Sequence, residues 1–547
     1  MACANGARTA LVAPGRRVSY ADLNRETDLL SADLRQRGIA DGRAVALLLP
    51  SGWQAIVWFF AVTGAGATAV PVNPRITASE LRAILDDVEP DLLITVRRVP
   101  GRDIEAALGE LRLTGYRLPP VAFVDNDAIC RATGSGELMV DESSHPATGP
   151  DGPAPDTAAI FYTTGTTGTP KGVMHTHAGL LDSFDRMQEL HAAFFSGSAM
   201  TRAARIIKLA WRYGIRLRHG IGHQIWMTPL PVYSIAGFRF VLHALLSGQR
   251  LVLMERFHPT EMLDRIQRER VNIVALAPSM LDVALDAASS GRYDLSSLLV
   301  VGVGAAPTSP ALVRRARAQL GCAVVIGYGA TETGGGVLVT RMDDGERQLA
   351  ETAGRPFPGA EVKVVDDQRQ EVPTGCVGEL ACRSAGLMAG YHGHRAATAE
   401  VIDQDGWYYT GDLATIDDQG YVRIVGRRRD LIIRGGANVV PAEVERVLLD
   451  HPAITEAAVV GVTDRAAGEA IWAFLVLAPA ATPDLTEIRQ HCIRRLDPGK
   501  VPDRLRILIK LPVNQTGEVH RVALRELAEQ QILDRRARGG KNGADHD

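Results

Sequence analysis

The first seventy residues alternate short apolar runs with longer amphipathic stretches. Val18 to Tyr20 reads as a strand and Ala21 to Gly38 as a helix. Ala44 to Pro50 is a continuous apolar run, Trp53 to Gly64 an apolar helix, and Ala67 to Val72 another strand. Apolar strands set between helices predict a parallel sheet covered on both faces. Leu251 to Met254 and Ile273 to Ala275 add two buried strands, and Val300 to Pro307 is a strand ending in glycine and alanine. Pro119 to Pro155, rich in Gly, Pro, Ser and Asp, predicts a loop. The fold class is α/β.

Length and composition narrow this picture. A chain of 547 residues exceeds one small core, so at least two folded units are expected. Hydrophobic content of 46% and charged content of 22% suit a soluble globular protein. A net charge of -3 argues against a nucleic-acid partner for the molecule as a whole. Cys3, Cys130, Cys322, Cys376, Cys382 and Cys492 form no C-x-x-C pair, which predicts reduced thiols in a cytoplasmic protein. Residues 1–9 lack the apolar core of a signal peptide, and no run of eighteen apolar residues suggests a membrane span.

The densest chemistry lies between Tyr162 and His177: Tyr-Thr-Thr-Gly-Thr-Thr-Gly-Thr-Pro-Lys-Gly-Val-Met-His-Thr-His. Gly165, Gly168 and Gly172 let backbone N–H groups approach an anion, the threonine hydroxyls add donors, and Lys171 adds a mobile positive charge. Such a loop suits a polyphosphate, although its spacing is not that of a Walker A loop. The plain alternative is a Gly/Thr surface turn. Further on, Gly304, Ala305 and Ala306 leave a strand end flat enough for a planar group to lie on the backbone. Val324-Val-Ile-Gly-Tyr-Gly-Ala-Thr-Glu-Thr333 offers a tyrosine that can stack on a purine and a carboxylate that can hold Mg²⁺. Gly406-Trp-Tyr-Tyr-Thr-Gly-Asp-Leu413 offers a carboxylate able to accept two hydrogen bonds from a diol.

These segments, in this order, resemble the adenylate-forming superfamily of acyl-CoA synthetases, luciferases and carrier-protein-loading adenylation domains. The resemblance implies a large N-terminal domain of layered sheets and helices, residues 1–426, and a small mobile α/β lid, residues 427–534. Residues 535–547 are expected to form a disordered tail. It implies a cleft that grips ATP with Mg²⁺. Thr163, Thr164, Gly165, Thr166, Thr167, Gly168 and Lys171 would surround the phosphates. Gly304, Ala305, Ala306, Gly327, Tyr328, Gly329 and Ile424 would border the nucleotide, with Tyr328 on adenine. Thr331 would reach the α-phosphate, Glu332 the metal, and Asp412 and Arg427 the ribose. Arg429 sits where the family places its hinge residue, and Gly435-Gly-Ala-Asn438 follows where a pantetheine arm passes in thiol-using members. Tyr233, Ser234, Gly237, Val303, Gly304, Gly334 and Gly335 would line the substrate pocket. Ser234 stands where the family often carries a gating aromatic or histidine.

One position departs from the family. Pro512-Val-Asn-Gln-Thr-Gly-Glu-Val-His-Arg521 keeps the frame of the family's lysine segment, but Glu518 replaces the lysine that bridges substrate carboxylate and α-phosphate. An anion at the junction of two anions removes attraction and adds repulsion. Three readings follow. The chain is an acid–CoA ligase in which His520, Arg521 or another cation substitutes. It is an adenylating enzyme with a non-thiol acceptor, such as an amine diazotised through nitrite or an internal hydroxyl closing a β-lactone. Or it is a nucleotide-binding protein without turnover. The catalytic set is thus Lys171, Thr331, Glu332 and Glu518, with a small acid or amine as substrate and CoA or a carrier protein as thiol partner.

The stretch from Thr201 to Leu217 belongs to none of these segments. Arg202, Arg205, Lys208, Arg212 and Arg216 fall on one stripe of a helix. That pattern predicts a solvated basic face on a packed surface helix. An anionic membrane, an acidic carrier protein or a nucleotide tail could also meet it.

Overall fold

The computed structural model describes residues 6–124, 156–163, 170–194, 196, 198–220, 222–434, 437–464, 468–479, 481–513 and 519–539. The chain forms two compact units. The first comprises Met1–Glu361 and Cys382–Tyr408, the second Val362–Ala381 and Tyr409–Asp547.

The first unit holds two large sheets. The seven-stranded sheet runs, edge to edge, Gly390–Tyr391, Lys171–Thr176, Thr157–Thr163, Thr68–Pro71, Ala44–Leu48, Leu92–Thr95 and Val121–Phe123. The nine-stranded sheet carries a parallel run of Val300–Val303 beside Ile273–Leu276, Ile225–Thr228 and Arg250–Leu253. Ala44–Leu48 is buried along its whole length and flanked by parallel neighbours on both sides, whereas Ile273–Leu276 and Val300–Val303 alternate buried and half-buried positions. The helix Tyr20–Gln36 begins where Ser19 caps it: the Ser19 hydroxyl accepts from the Asp22 amide and the Asp22 carboxylate accepts in return. Trp53–Ala65 ends at Gly66, whose φ of 95° closes the helix in the left-handed region. Both helices and Ile235–Leu246 bury their apolar residues in one core that includes Trp58, Phe161 and Phe238.

Two expectations need correction. The stretch expected to be loop from Pro119 contains the strand Val121–Phe123, because Val121 and Ala122 can bury themselves beside Leu93 and Ile94 at the sheet edge. The basic stripe of the helix Ala199–Tyr213 is not a simple solvated face. It borders the packed side, where Leu209 and Tyr213 are buried. Lys208 donates to the Asp343 carbonyl, Arg212 to those of Met342 and Asp344, and Arg216 to those of Leu295 and Leu298.

The second unit holds most of a four-stranded sheet (Glu361–Val365, Gly378–Arg383, Tyr408–Ile416, Val422–Arg427) and a five-stranded one built on Ile454–Asp464 and Gly468–Leu477. The helix Pro441–Leu449 packs on the latter, burying Val444 and Leu448. The final helix, Arg521–Gly539, continues past the point where the tail was expected to start. Its first residue is a tie point. Arg521 Nη1 donates to Glu445 Oε1 at 2.7 Å and to the Val459 carbonyl at 2.7 Å, and its Nε lies 3.5 Å from Asp430. Breaking one partner of such a half-buried network strands the others. Arg521→Ala is therefore expected to cost the second unit about 2 kcal/mol in urea unfolding, and Arg521→Lys less. An unchanged midpoint would show the network to be ornamental.

Candidate active site

Thr157–Thr163 and Lys171–Thr176 pair antiparallel, with Lys171 opposite Thr163 and Gly172 opposite Tyr162. The residues that join them, among them Thr164, Gly165, Thr166, Thr167 and Gly168, lie outside the described residues. Their two anchors do not. A methyl group on Gly172 would come within 2.8 Å of Ile160 and 3.0 Å of the Tyr162 ring, so the strand lies flat on its neighbour. The Tyr162 hydroxyl donates to Asp87 at 2.5 Å.

The other half of the site is a reversal. The strand Ala323–Ala330 pairs first with Val300–Val303, parallel, and then with Gly335–Val339, antiparallel. The turn at residues 331–334 joins the last two strands. Buried Thr333 ties it: its hydroxyl accepts from the Ala330 amide at 2.8 Å and donates to the Gly335 carbonyl at 2.6 Å. A Cβ on Gly329 would sit 1.9 Å from the Gly335 carbonyl oxygen, and one on Gly334 2.1 Å from that of Gly386. No side chain fits at either position without moving backbone.

Tyr328 lies half-buried on this strand, and Thr331 and Glu332 half-buried on the turn. Glu332 Oε1 accepts from the Tyr391 hydroxyl at 3.0 Å, while Lys171 Nζ stands 5.1 Å above the Tyr391 ring. Thus Lys171 from one sheet and Glu332 from the other meet through Tyr391. Sequence gave no sign of Tyr391, which arrives through the pairing of Gly390–Tyr391 with Met174 and Val173. Burial, reinforced by the Glu332 carboxylate, holds the Tyr391 phenol well above its ordinary pKa. It remains a protonated donor. Tyr408 is raised well above its ordinary range for the same leading reason.

His175 was also unrecognised, although its strand pattern (Val173 and His175 buried on one face) held the signal. Its Nε2 lies 2.9 Å from the Thr331 carbonyl oxygen. A carbonyl only accepts, so Nε2 carries the proton, while the buried Nδ1 has no hydrogen-bond partner. Burial, with the Arg239 charge adding, lowers the pKa to about 4. Arg239 is itself buried and donates to the Leu180 carbonyl at 2.7 Å; burial and the neighbouring Arg186 lower its pKa to about 9. Arg186 pairs with Asp182 at 2.6 Å. Two guanidinium groups and one carboxylate thus lie behind Gly335, where an added Cβ would touch the Arg239 side chain at 3.2 Å.

The expected pocket residues take varied places. Ser234 caps the helix Ile235–Leu246, accepting from the Gly237 amide and donating to the Pro231 carbonyl at 2.7 Å. A Cβ on Gly237 would lie 2.1 Å from that same oxygen. Tyr233 is half-buried, its phenol raised by burial. Val303 is buried in the core. Gly304 passes close to Gly327, whose carbonyl oxygen a Cβ would meet at 3.0 Å, and exposed Ala305 takes a left-handed φ of 66°.

In the second unit Asp412 and Arg427 are cross-strand neighbours, their side chains 3.2 Å apart. Ile424, half-buried, pairs with Ala414 on the same two strands. Arg428 pairs with Glu379 at 2.9 Å and Asp367 at 2.7 Å, and Asp430 with Arg521 and Arg525; Arg428 and Arg429 are both exposed. Glu518 lies outside the described residues. Arg521, one candidate to replace the lost lysine, is already engaged with Glu445, and His520 is exposed.

No cluster of three or more His, Cys, Asp or Glu side chains suited to a metal occurs among the described residues. Mg²⁺ commonly needs only one or two carboxylates when phosphates supply further oxygens. Glu332, steadied by Tyr391, fits such a role.

Residues 2–392 match the family described as AMP-binding enzyme, and residues 443–518 its C-terminal domain. The chain belongs to the AMP-binding enzyme family. This is the adenylate-forming superfamily of AMP-forming ligases, and the α/β fold of a large and a small domain is shared with it. Among its members, the fatty acid–[acyl-carrier-protein] ligase ScoC of Streptomyces coeruleorubidus is 31% identical over 521 residues, 94% of this chain and 93% of that one. The 3-[(3aS,4S,7aS)-7a-methyl-1,5-dioxo-octahydro-1H-inden-4-yl]propanoyl:CoA ligase of Mycobacterium tuberculosis is 32% identical, covering 95% of this chain and 96% of its own. The amide bond synthetase McbA of Marinactinospora thermotolerans superposes with a TM-score of 0.78 at 30% identity, covering 95% and 96%.

The buried imidazole yields a test. A histidine whose folded pKa is depressed contributes stability above its unfolded pKa of about 6.5 and loses it as pH falls towards about 4. His175→Gln removes that titration. The difference in unfolding free energy between wild type and variant should therefore narrow between pH 7 and pH 4.5, by an amount on the order of 2–3 kcal/mol. A pH-independent difference would mean that His175 is not held neutral.

Proposed function

We propose that this protein is an ATP-dependent acid–thiol ligase. A carboxylate oxygen of the acid attacks the α-phosphorus of ATP, the bond to the bridging oxygen breaks, and pyrophosphate leaves. A thiolate, that of CoA or of a carrier protein, then attacks the acyl carbon and displaces AMP to give a thioester. The observation that carries this reading is the meeting of Lys171 and Glu332 at Tyr391, which brings a cation and a carboxylate from two sheets to one place.

Each residue has a role in that scheme. Tyr328 offers its ring to adenine, and the Thr331 hydroxyl donates to the α-phosphate. Asp412 accepts from the ribose hydroxyls, with Arg427 beside it. Lys171 and the threonines from Thr163 onward draw the β- and γ-phosphates. Glu332 would hold Mg²⁺ together with phosphate oxygens; when bound, the ion offsets phosphate charge. Tyr391 keeps Glu332 aimed. Arg429, exposed in its turn, is the residue about which residues 427–534 would swing between the two half-reactions. ScoC and the Mycobacterium tuberculosis relative, both named as ligases of acids to thiol carriers, support this acceptor class.

A second reading is favoured by Glu518. A carboxylate in place of a lysine suits an ammonium or an amine nucleophile that must lose a proton, and the similarity to an amide bond synthetase supports it. Products decide between the two: acid panels incubated with ATP and CoA should yield thioester by mass spectrometry, whereas an amine acceptor should yield an amide.

Two substitutions probe the scheme. Glu332→Gln removes a charge from the phosphate site and should slow pyrophosphate release by about a hundredfold or more; near-normal rates would remove Glu332 from the chemistry. Glu518→Lys restores a cation at the carboxylate–phosphate junction and should raise acid-dependent pyrophosphate release. Abolition of the native reaction would instead show that Glu518 serves a rebuilt acceptor step.

A further inference from the structure

The helix Ala199–Tyr213 is amphipathic in an unusual sense. Its packed side is narrow: Leu209 and Tyr213 lie against Ala323, Val300 and Met342. Opposite that side stands an apolar ridge. Met200 is 83% exposed, Ile207 67% and Trp211 90%, and Ile215 in the following 3₁₀ turn is 71% exposed. At about 100° per residue, Met200, Ile207 and Trp211 fall within about 40° of arc. Single exposed apolar residues are ordinary, but an aligned ridge ending in a nearly bare tryptophan is a contact surface.

The charge around it says what it contacts. Between residues 199 and 220 there are six Arg or Lys and no Asp or Glu. Lys208 and Arg212, on one flank of the ridge, are tethered to the carbonyls of residues 342–344. That tether fixes the helix on the body and presents cations beside the apolar stripe. Arg202 and Arg218 are exposed at the two ends. An apolar stripe with tryptophan, bordered by cations, is the pattern of a helix that lies in the plane of a membrane interface. No helix of the described chain is long and apolar enough to cross one.

We propose that this helix docks the protein onto an anionic bilayer surface, with Met200, Ile207, Trp211 and Ile215 entering the headgroup region and Lys208 and Arg218 meeting lipid phosphates. The ridge supplies depth through buried apolar area, and the cations supply attraction that falls with salt.

The test is co-sedimentation of the full chain with large vesicles of phosphatidylcholine alone or with one quarter phosphatidylglycerol. Binding is expected to the mixed vesicles, at least tenfold weaker to the neutral ones, and sharply reduced by 0.5 M salt. Trp211→Ser with Ile207→Ser, both exposed positions, should weaken binding tenfold or more without shifting the melting temperature. Arg218→Gln is an independent variant that should weaken binding to mixed vesicles alone. Equal or absent binding to both vesicle types overturns the proposal. So does vesicle binding that survives both variants, or a concentration-dependent dimer that the Trp211→Ser, Ile207→Ser variant abolishes, which would assign the ridge to a second copy of this chain.

Discussion

The reversal between Ala330 and Gly335 is tied to the neighbouring sheet by a hydrogen bond from His175 Nε2–H to the carbonyl of Thr331. Thr331 and Glu332 sit on a turn, where backbone is ordinarily free to shift. Here the turn is held from three directions: by His175 below, by Thr333 within, and by the Glu332 carbonyl, which accepts from the Met388 amide at 2.8 Å. Since His175 belongs to the strand that begins with Lys171, the same imidazole fixes the phosphate-side lysine relative to the carboxylate-side turn. Nε2–H donates whether the ring is neutral or protonated; burial, with the Arg239 charge adding, keeps it neutral.

Much of this was legible in the residues. Continuous apolar strands such as Ala44–Leu48 announced a parallel sheet because burial on both faces leaves no room for alternation. Tyr328, Thr331 and Glu332 stood out in the sequence because their chemistry is local and their spacing short, and the fold puts Thr331 and Glu332 on one turn beside the strand of Tyr328. Tyr391 did not, since its place beside Glu332 is created by sheet pairing across more than two hundred residues of sequence. Arg239 was hidden for a related reason: on a helix rich in apolar residues, one arginine gives no hint that it will turn inward beneath Gly335.

The glycines show how one residue type can be read in two ways. In the sequence Gly334 and Gly335 look like space left for a substrate. In the fold an added Cβ at Gly334 would strike the Gly386 carbonyl, and one at Gly335 the Arg239 side chain. Close packing of the turn therefore accounts for them before any ligand is considered. The basic helix teaches the converse. Its cations were visible at once, yet three of them are engaged with backbone carbonyls, and the exposed character of the helix comes from Ile207 and Trp211.

In the account developed above, a carboxylate oxygen of the substrate becomes bonded to the phosphorus of AMP. The most direct measurement uses an acid that supports turnover, with ¹⁸O in both carboxylate oxygens, and mass analysis of the AMP released after one turnover. The account predicts AMP carrying one ¹⁸O. Unlabelled AMP, or label recovered in phosphate alongside ADP, would contradict it.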